Sequence, residues 1–421
     1  MSNILYRDLR KRLPIIDRGE GIYLYDSAGN RYLDAASGAV VVNIGYGRRR
    51  VIEAMIRQAQ KLPFAHGSKF TSQPAEELAH ELARLAPGDL SQVFFVSGGS
   101  EAVESAFKLA WQYHVERGDR GRYKIVSLRP SYHGSTLAAL SASYREELQE
   151  PYRSILIDFP KISAPYPGQD PDAAWELEKL IQEQGEESIA ALIIEPIGGA
   201  SSGALVPSQE YLRMIRQICD QHDVLLIADE VMVGFGRTGK FFAIEHYDVI
   251  PDILIGGKGL GSGYCPLGAV IAREAIVERL RTGSGRFFHG FTYQGNPLAC
   301  AVGLEVVKII QEEKLVDNAQ VMGEYLLERL REFSKGYELI TDVRGKGLLL
   351  ALEFGRDISH KRRPLSLVLT EQAFQQGLIL YPRSSIAHDH LLIAPPLSIN
   401  RDEIDLIVEL LETSITALDW R

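Results

Sequence analysis

The stretch IAALIIEP, residues 189–196, begins a strand–helix–strand pattern that decides the fold class. Its apolar run predicts a buried strand. SQEYLRMIRQICDQH (Ser208–His222) has the periodicity of an amphipathic helix, and VLLIADE (Val224–Glu230) predicts a second strand. Strands that are apolar on both faces and separated by helices are typical of a mainly parallel sheet covered on both sides. This unit therefore predicts an α/β domain.

The same alternation continues towards the N-terminus. QVFFVS (Gln92–Ser97) and YKIVSL (Tyr123–Leu128) predict further strands, and the segment from Glu101 predicts the helix between them. The proline-rich stretch Phe159–Asp172 is interpreted as a surface loop. We therefore expect residues 51–303 to form one large α/β domain with a mainly parallel central sheet.

The two ends of the chain have a different pattern. Residues 1–50 form a predicted N-terminal arm, with short strands and a turn at DSAGN. Residues 304–421 predict helices with scattered strands, such as GKGLLLALEF (Gly345–Phe354). A chain of 421 residues is too long for one ordinary core. We therefore expect the arm and the C-terminal part to share a smaller α+β domain.

Composition and charge exclude several classes of protein. A net charge of -9 argues against nucleic-acid binding, which needs a basic face. We find neither an apolar run that could span a bilayer nor a secretory signal. The three cysteines are not paired or spaced as metal ligands, and the histidines and acidic residues show no metal-ligand spacing either. These features predict a cytoplasmic protein without a metal.

The segment GFGRTGK (Gly234–Lys240) matches most of the phosphate-loop pattern of ATP-binding proteins. Phe241 stands where that pattern needs a hydroxyl group for magnesium, and the acidic strand VLLIADE precedes the loop instead of following it. No helical pattern follows Lys240. A glycine-rich turn after a strand is the simpler interpretation, with ATP binding as the alternative.

Three other segments carry residues whose chemistry fits one cofactor. In VSGGSEAVESAFKLA the backbone N–H groups near Gly99 and Ser100 can meet an anion at a helix start, or the segment is only a capped helix. Asp229 ends a predicted central strand, where it can hold a protonated ring nitrogen or form a structural ion pair.

The third segment is ILIGGKGLGSGYCPLGAV, residues 253–270, in which Lys258 stands among glycines and apolar residues. A lysine shielded from water loses its charge easily and can form a Schiff base with a carbonyl group. The alternative is a surface lysine on a flexible loop. Together, a phosphate cradle, an acid for a ring nitrogen and a reactive lysine describe a site for pyridoxal 5'-phosphate.

The chain resembles the class III pyridoxal-phosphate aminotransferases, which have the aspartate-aminotransferase-like fold type I. The resemblance covers nearly the whole chain. It is carried by LYDSAGNRYLDAASG, SGGSEA, SYHGST, IIEPIGG, LLIADEVMVGFGRTGKFFA, PDILIGGKGLGSGYCPLGAV, HGFTYQGNPLACA and LLIAPPLSI, which occur in the expected order. It implies an ω-transaminase-like enzyme that transfers an amino group from an amine to an oxo acid.

The resemblance also implies a role for each matching residue. Lys258 holds the cofactor and moves the proton, Asp229 pairs with the ring nitrogen, and Gly99 and Ser100 bind the phosphate. Gly98 departs from the family pattern, because many relatives carry a hydroxyl residue at this position. We therefore expect this chain to lack one contact to the phosphate.

Four more residues complete the implied cofactor site. Tyr132 stacks on one face of the ring and Val231 covers the other. Glu195 lies on the substrate side. Thr292 reaches the phosphate bound by the partner subunit, which implies a homodimer with shared sites.

The substrates are less closely defined by the resemblance. Ala39 and Val40 stand where amine:pyruvate relatives often have a large aromatic residue, which predicts a roomier pocket. Arg383 lies near the place where such relatives hold the carboxylate of the oxo acid. Pyruvate is the predicted oxo acid, and 2-oxoglutarate is the alternative. An aminomutase or decarboxylase of the same fold, an ATP-binding protein and a binding protein without cofactor are the other functions considered.

Overall fold

The computed structural model describes residues 3–166, 172–355, 359–360, 363–385 and 388–418. The strands in chain order are β1 (Ile16–Glu20), β2 (Tyr23–Asp26), β3 (Arg31–Asp34), β4 (Leu90–Val96), β5 (Lys124–Arg129), β6 (Lys161–Ser163), β7 (Ile189–Ile194), β8 (Leu225–Asp229), β9 (Ile253–Gly256), β10 (Gly268–Arg273), β11 (Ile340–Lys346), β12 (Leu349–Phe354), β13 (Ser359–His360), β14 (Arg363–Pro364), β15 (Leu378–Ile379), β16 (Tyr381–Ser384) and β17 (Asp389–Ile393).

The helices of the described residues, again in chain order, are α1 (Ser37–Val40), α2 (Arg49–Lys61), α3 (Gln73–Leu85), α4 (Gly99–Arg117), α5 (Leu137–Ala142), α6 (Glu146–Gln149), α7 (Asp172–Gln184), α8 (Gln209–Gln221), α9 (Glu274–Thr282), α10 (Pro297–Glu312), α11 (Leu315–Ser334), α12 (Leu365–Gln375) and α13 (Arg401–Thr416). Within this part of the chain, none of them is long and apolar enough to cross a bilayer.

A seven-stranded sheet forms the centre of the molecule, with the order β4-β10-β9-β8-β7-β5-β6. The pairs from β9 to β6 are parallel, and β10 runs antiparallel to both of its neighbours. All six residues of β7 are buried, as the apolar run from Ile189 predicts. The mainly parallel sheet is therefore confirmed.

Both faces of this sheet carry an apolar core. On one face, Ala106 and Phe107 of α4 pack with Ile193 of β7. On the other, Ile215 of α8 packs in the core that contains Leu192. The Ser208 side chain accepts a hydrogen bond of 3.0 Å from the Tyr211 N–H and so begins α8 where the helical pattern predicts it.

The interpretation of Phe159–Asp172 as a loop is wrong for its first part. Lys161–Ser163 forms β6, which pairs in parallel with the end of β5. A strand of three residues with one buried side chain leaves too little of a pattern to be read from sequence. The remainder of the stretch falls partly outside the described residues.

The ends of the chain meet in a second sheet. β15 pairs in parallel with β3, with Leu378 opposite Leu33, so the N-terminal strands and a C-terminal segment share hydrogen bonds. Strands β11, β12, β17 and β16 form a third sheet. The expected boundary near residue 303 lies inside α10, and this continuous helix connects the region of the central sheet to the C-terminal part.

Candidate active site

A cavity of about 280 Å³ lies at the carboxyl edge of the central sheet. This edge is where parallel α/β sheets bind their ligands, because the loops after neighbouring strands converge there. The cavity brings together most of the predicted cofactor residues, namely Gly99, Ser100, Tyr132, Glu195, Asp229, Val231 and Lys258.

Lys258 follows β9 and faces this cavity from a tight turn. Its φ angle is 41°, and it begins a short 3-10 turn that ends at Leu260. A side chain at Gly259 would collide with the Asn43 amide, so the adjacent glycine is needed for close packing. Burial lowers the pKa of the Lys258 amine, while the charges of Asp229 and Glu195 oppose this shift. The amine is therefore shifted towards its neutral, nucleophilic form.

Asp229 ends β8 and is held in one orientation by two donors. The Val231 N–H donates to Oδ1 over 3.0 Å, and His133 Nδ1 lies 2.7 Å from Oδ2. Both side chains are almost fully buried, and His133 Nε2 has no hydrogen-bond partner in the part of the chain that is described. The pairing of His133 with Asp229 fixes the carboxylate that faces the cavity.

From the sequence, His133, which directly follows Tyr132, is expected to be a packing or hydrogen-bonding residue, with no partner indicated. His133 reaches Asp229 from the loop after β5. No sequence pattern in this loop predicts a contact with the end of β8. Only the structure shows that His133 supports the predicted ring-nitrogen partner.

Glu195 follows β7 and lies beside the same carboxylate. Its Oε1 accepts from the Gly199 N–H over 3.1 Å, and its Oε2 accepts from the Tyr132 N–H over 3.3 Å. Burial raises the pKa of Glu195 to about 7, and the negative charge of Asp229 adds to this effect. Glu195 is therefore a buried acid that changes its charge near neutral pH.

The start of α4 provides a cradle for an anion. Gly98 occupies the N-cap, and no side chain caps the helix. A Cβ at Gly99 would stand 2.8 Å from Val231, so a larger residue would narrow the cavity. The Ser100 hydroxyl accepts from the Ser135 N–H over 3.1 Å. Free N–H groups at a helix start favour a phosphate.

These features fit pyridoxal phosphate in three independent places. Lys258 offers an amine for its aldehyde, Asp229 offers a fixed carboxylate for its ring nitrogen, and the start of α4 offers N–H groups for its phosphate. Tyr132 and Val231 line the same cavity. The sequence-based alternatives of a surface lysine on a flexible loop and of a capped helix do not describe this arrangement.

Four predicted residues lie away from the cavity lining. Thr292 and Ala39 are exposed, and Val40 is buried with 1% of its surface accessible. Arg383 lines a neighbouring cavity instead, where its Nη2 lies 3.0 Å from Glu147 Oε1. Their predicted contacts with substrate, or with the partner subunit's cofactor, remain predictions.

The cavity also contains residues that the sequence did not indicate. Arg7, Arg145, Met232 and Tyr381 come from four separate segments and complete its lining. The Arg145 guanidinium lies over the Tyr132 ring, 5.1 Å from its centre. Met232 lies in the motif LLIADEVMVGFGRTGKFFA but was given no role there, and Arg7, Arg145 and Tyr381 belong to none of the quoted motifs.

The phosphate-loop-like segment has a structural role in this fold. Arg237 is fully buried, donates to the Leu348 carbonyl over 3.0 Å and contacts Asn43 Oδ1 over 2.9 Å. It thus joins the central domain to the N-terminal and C-terminal parts. Lys240 does not line the cavity, and a short 3-10 turn at Ala243–Tyr247 follows it instead of a phosphate-binding helix.

Comparison with known proteins agrees with this geometry. Residues 6–415 match the family described as Aminotransferase class-III. The chain is 38% identical to the putrescine–pyruvate aminotransferase of Pseudomonas aeruginosa, over 96% of this chain and 91% of that protein.

Two solved structures are similar over almost their whole length. A transaminase from the marine bacterium Virgibacillus has a TM-score of 0.93 and 38% identity, covering 97% of this chain and 94% of that one. An (S)-enantioselective ω-transaminase from Thermomicrobium roseum has a TM-score of 0.91 and 38% identity, with coverage of 97% and 93%. The fold is that of the transaminases, and this chain belongs to the class III aminotransferase family.

Proposed function

We propose that this enzyme uses pyridoxal 5'-phosphate to transfer an amino group from an amine or ω-amino acid to an oxo acid, with pyruvate as the preferred acceptor. The observation that carries this proposal is the convergence of Lys258, Asp229 and the start of α4 on one cavity. Class III aminotransferases depend on this cofactor. The identity to an enzyme named for putrescine and pyruvate supports the choice of substrates.

Pyridoxal phosphate, when bound, supplies an aldehyde that captures amines and a pyridinium that withdraws electrons from the substrate carbon. Lys258, with its lowered pKa, takes the proton from that carbon and returns it in the reverse half-reaction. Asp229, fixed by His133, holds a proton at the ring nitrogen. Because each substrate reacts in turn at the same lysine, we expect ping-pong kinetics.

The walls of the cavity orient the reacting groups. Tyr132 and Val231 restrict where a flat ring can lie, and Glu195 faces the substrate side. Arg383 is the proposed ligand of the oxo-acid carboxylate. It has to leave Glu147 to reach the cavity that contains Lys258, whereas Arg145 already lines that cavity.

The proposed assembly is a cytoplasmic homodimer with shared sites. The exposed position of Thr292 is compatible with its proposed contact to the phosphate in a partner subunit. Ala39 and Val40 are proposed to leave space for bulky amines. An Ala39→Trp variant should therefore lose activity with phenylethylamine and keep activity with β-alanine. An unchanged substrate range would contradict this role.

The function is tested by incubating the enzyme and its cofactor with putrescine, phenylethylamine or β-alanine and either pyruvate or 2-oxoglutarate. We expect equal amounts of carbonyl product and alanine when pyruvate is present. Preference for 2-oxoglutarate would overturn the proposed acceptor. Conversion of many equivalents of amine per cofactor without any oxo acid would instead indicate an aminomutase or a decarboxylase.

A further inference from the structure

A second cavity, of about 570 Å³, adjoins the catalytic one and is about twice as large. Arg145 lines both cavities, so its side chain stands between them. The Arg145 side chain is only 15% exposed, and its Nε lies 3.1 Å from Glu147 Oε1. A substrate with its amine at Lys258 would have to pass this side chain to enter the second cavity.

One wall of the second cavity is flat and fixed. The rings of Tyr166 and His388 stack with centres 4.8 Å apart and an angle of 5° between their planes. His388 Nδ1 lies 3.1 Å from Glu353 Oε1, which holds the ring from behind. An aromatic wall of this kind offers apolar surface against which a chain of methylene groups can pack.

The charges around the cavity do not cancel. The Glu147 carboxylate is shared by Arg145 and Arg383, at 3.1 Å and 3.0 Å. Glu146 accepts a hydrogen bond of 3.2 Å from the Tyr144 hydroxyl. Three arginines and two glutamates line the space, which leaves one positive charge in excess.

Arg129 is the arginine that has no acidic partner. Its guanidinium lies over the Tyr144 ring, 5.8 Å from the centre, and within the described ranges it forms neither an ion pair nor a hydrogen bond. Arg129 is the last residue of β5, so it stands at the same sheet edge as Asp229 of β8. It faces the second cavity from the edge where the catalytic residues lie.

We propose that the second cavity holds the distal half of a long ω-amino acid, whose terminal carboxylate pairs with Arg129. The proposal rests on the proposed function, because the amine of this substrate reacts at Lys258. The methylene chain passes Arg145 and lies on the wall formed by Tyr166 and His388. Long ω-amino acids are therefore better donors than β-alanine, which is too short to reach Arg129.

The test measures kcat/KM for β-alanine and for six-carbon and eight-carbon ω-amino acids, each beside an alkylamine of the same length, with pyruvate as acceptor. In an Arg129→Gln variant, kcat/KM for the long acid divided by kcat/KM for the matched alkylamine should fall at least about tenfold. The reason is that a hydrogen bond to a charged group contributes about 1.5–3 kcal/mol. Arg129→Lys should recover part of the ratio. Arg57→Gln, at an exposed arginine of α2, is the control and should keep it.

The outcomes separate this inference from the function on which it rests. An unchanged ratio in Arg129→Gln would overturn the inference, as would an equal loss for β-alanine and the long acids, which indicates a general structural effect. Turnover of amines without any preference for long acids would support the proposed transaminase function and contradict the proposed distal site. If the unmodified enzyme transferred no amino group at all, both proposals would fall.

Discussion

The cavity of Lys258, proposed to be catalytic, and the second cavity share Arg145 in their linings, but they are built from different parts of the fold. The catalytic cavity takes Asp229 from the end of β8, Lys258 from the turn after β9 and Ser100 from the start of α4. The second cavity takes many of its residues from connections and strand ends at 144–147, 163–166, 383–385 and 388. The groups proposed to react thus lie at the edge of the central sheet, and the groups proposed to select the substrate lie on the surrounding segments.

This difference has a physical reason. A reacting proton must be transferred over a hydrogen-bond distance, so its donors need a rigid backbone. A distal substrate group needs only a charge of the right sign within reach, which a long arginine can supply from several positions. Mutations in the first cavity should therefore affect every substrate, and mutations in the second should affect particular substrates.

The largest effect is expected for Lys258→Ala. Because this residue supplies the proposed proton transfer, kcat should fall by at least about a thousandfold with every amine. Measurement of alanine formation from pyruvate gives the rate, and circular dichroism verifies the fold. Substantial turnover by a folded Lys258→Ala enzyme would contradict the proposed role of the lysine.

The next effect concerns Glu195 and the dependence of stability on pH. Because its pKa is raised to about 7 in the folded protein, the folded state keeps a proton that the unfolded chain releases near 4.5. Stability from this group is therefore complete below pH 4.5 and is lost as pH rises through 7. Glu195→Gln should remove this loss, which is on the order of 2 kcal/mol.

Urea unfolding at pH 5 and pH 8 measures this difference for both proteins. Glutamine keeps an oxygen that can accept from the Gly199 or Tyr132 N–H, so the comparison isolates the charge. The same change in free energy of unfolding between the two pH values in both proteins would show that Glu195 is already ionised at pH 5.

A smaller and more selective effect is expected for Arg383→Ala. If Arg383 binds the oxo-acid carboxylate, KM for pyruvate should rise about tenfold, because one charge-assisted hydrogen bond is lost. The amine half-reaction should change little. Arg153→Ala is a matched control, because Arg153 also pairs with a glutamate, Glu150, but lines neither cavity. Unchanged pyruvate kinetics in Arg383→Ala would assign the carboxylate to another residue, with Arg145 as the next candidate.

The smallest effect is expected for Gly98→Ser. A Cβ at Gly98 meets no heavy atom within 4 Å, and its extended backbone is open to any residue. The added hydroxyl can donate a hydrogen bond to the phosphate at the start of α4. Such a hydrogen bond contributes about 0.5–1.5 kcal/mol, so the dissociation constant of the cofactor should fall severalfold. Fluorescence titration with pyridoxal phosphate measures it. Weaker binding would place the phosphate elsewhere.

The central sheet could be predicted from the sequence, and most of the predicted cofactor residues line one cavity. The observed β7, β8 and α8 lie within two residues of the predicted segments, because fully apolar strands and an amphipathic helix have strong patterns. Lys258 was predicted because it is a single charge among glycines and apolar residues, and Asp229 because it ends a predicted central strand. Their placement in one cavity follows from the parallel strands that carry them.

The second cavity could not be predicted in the same way. Its central contact joins Glu147 to Arg383, two residues that are distant in the chain and belong to no shared pattern. Charged residues are common on any surface, so the sequence does not indicate which of them meet. The same reason explains why the support of Asp229 by His133 was not predicted.

The central claim is that Lys258 holds pyridoxal phosphate and passes an amino group between two substrates. The most direct measurement is the visible absorption spectrum of the purified enzyme with cofactor, recorded before and after an amine and then after pyruvate. We predict a visible band that is lost with amine, returns with pyruvate and is absent in Lys258→Ala. A band that no amine changes, or no band at all with added cofactor, would contradict this account.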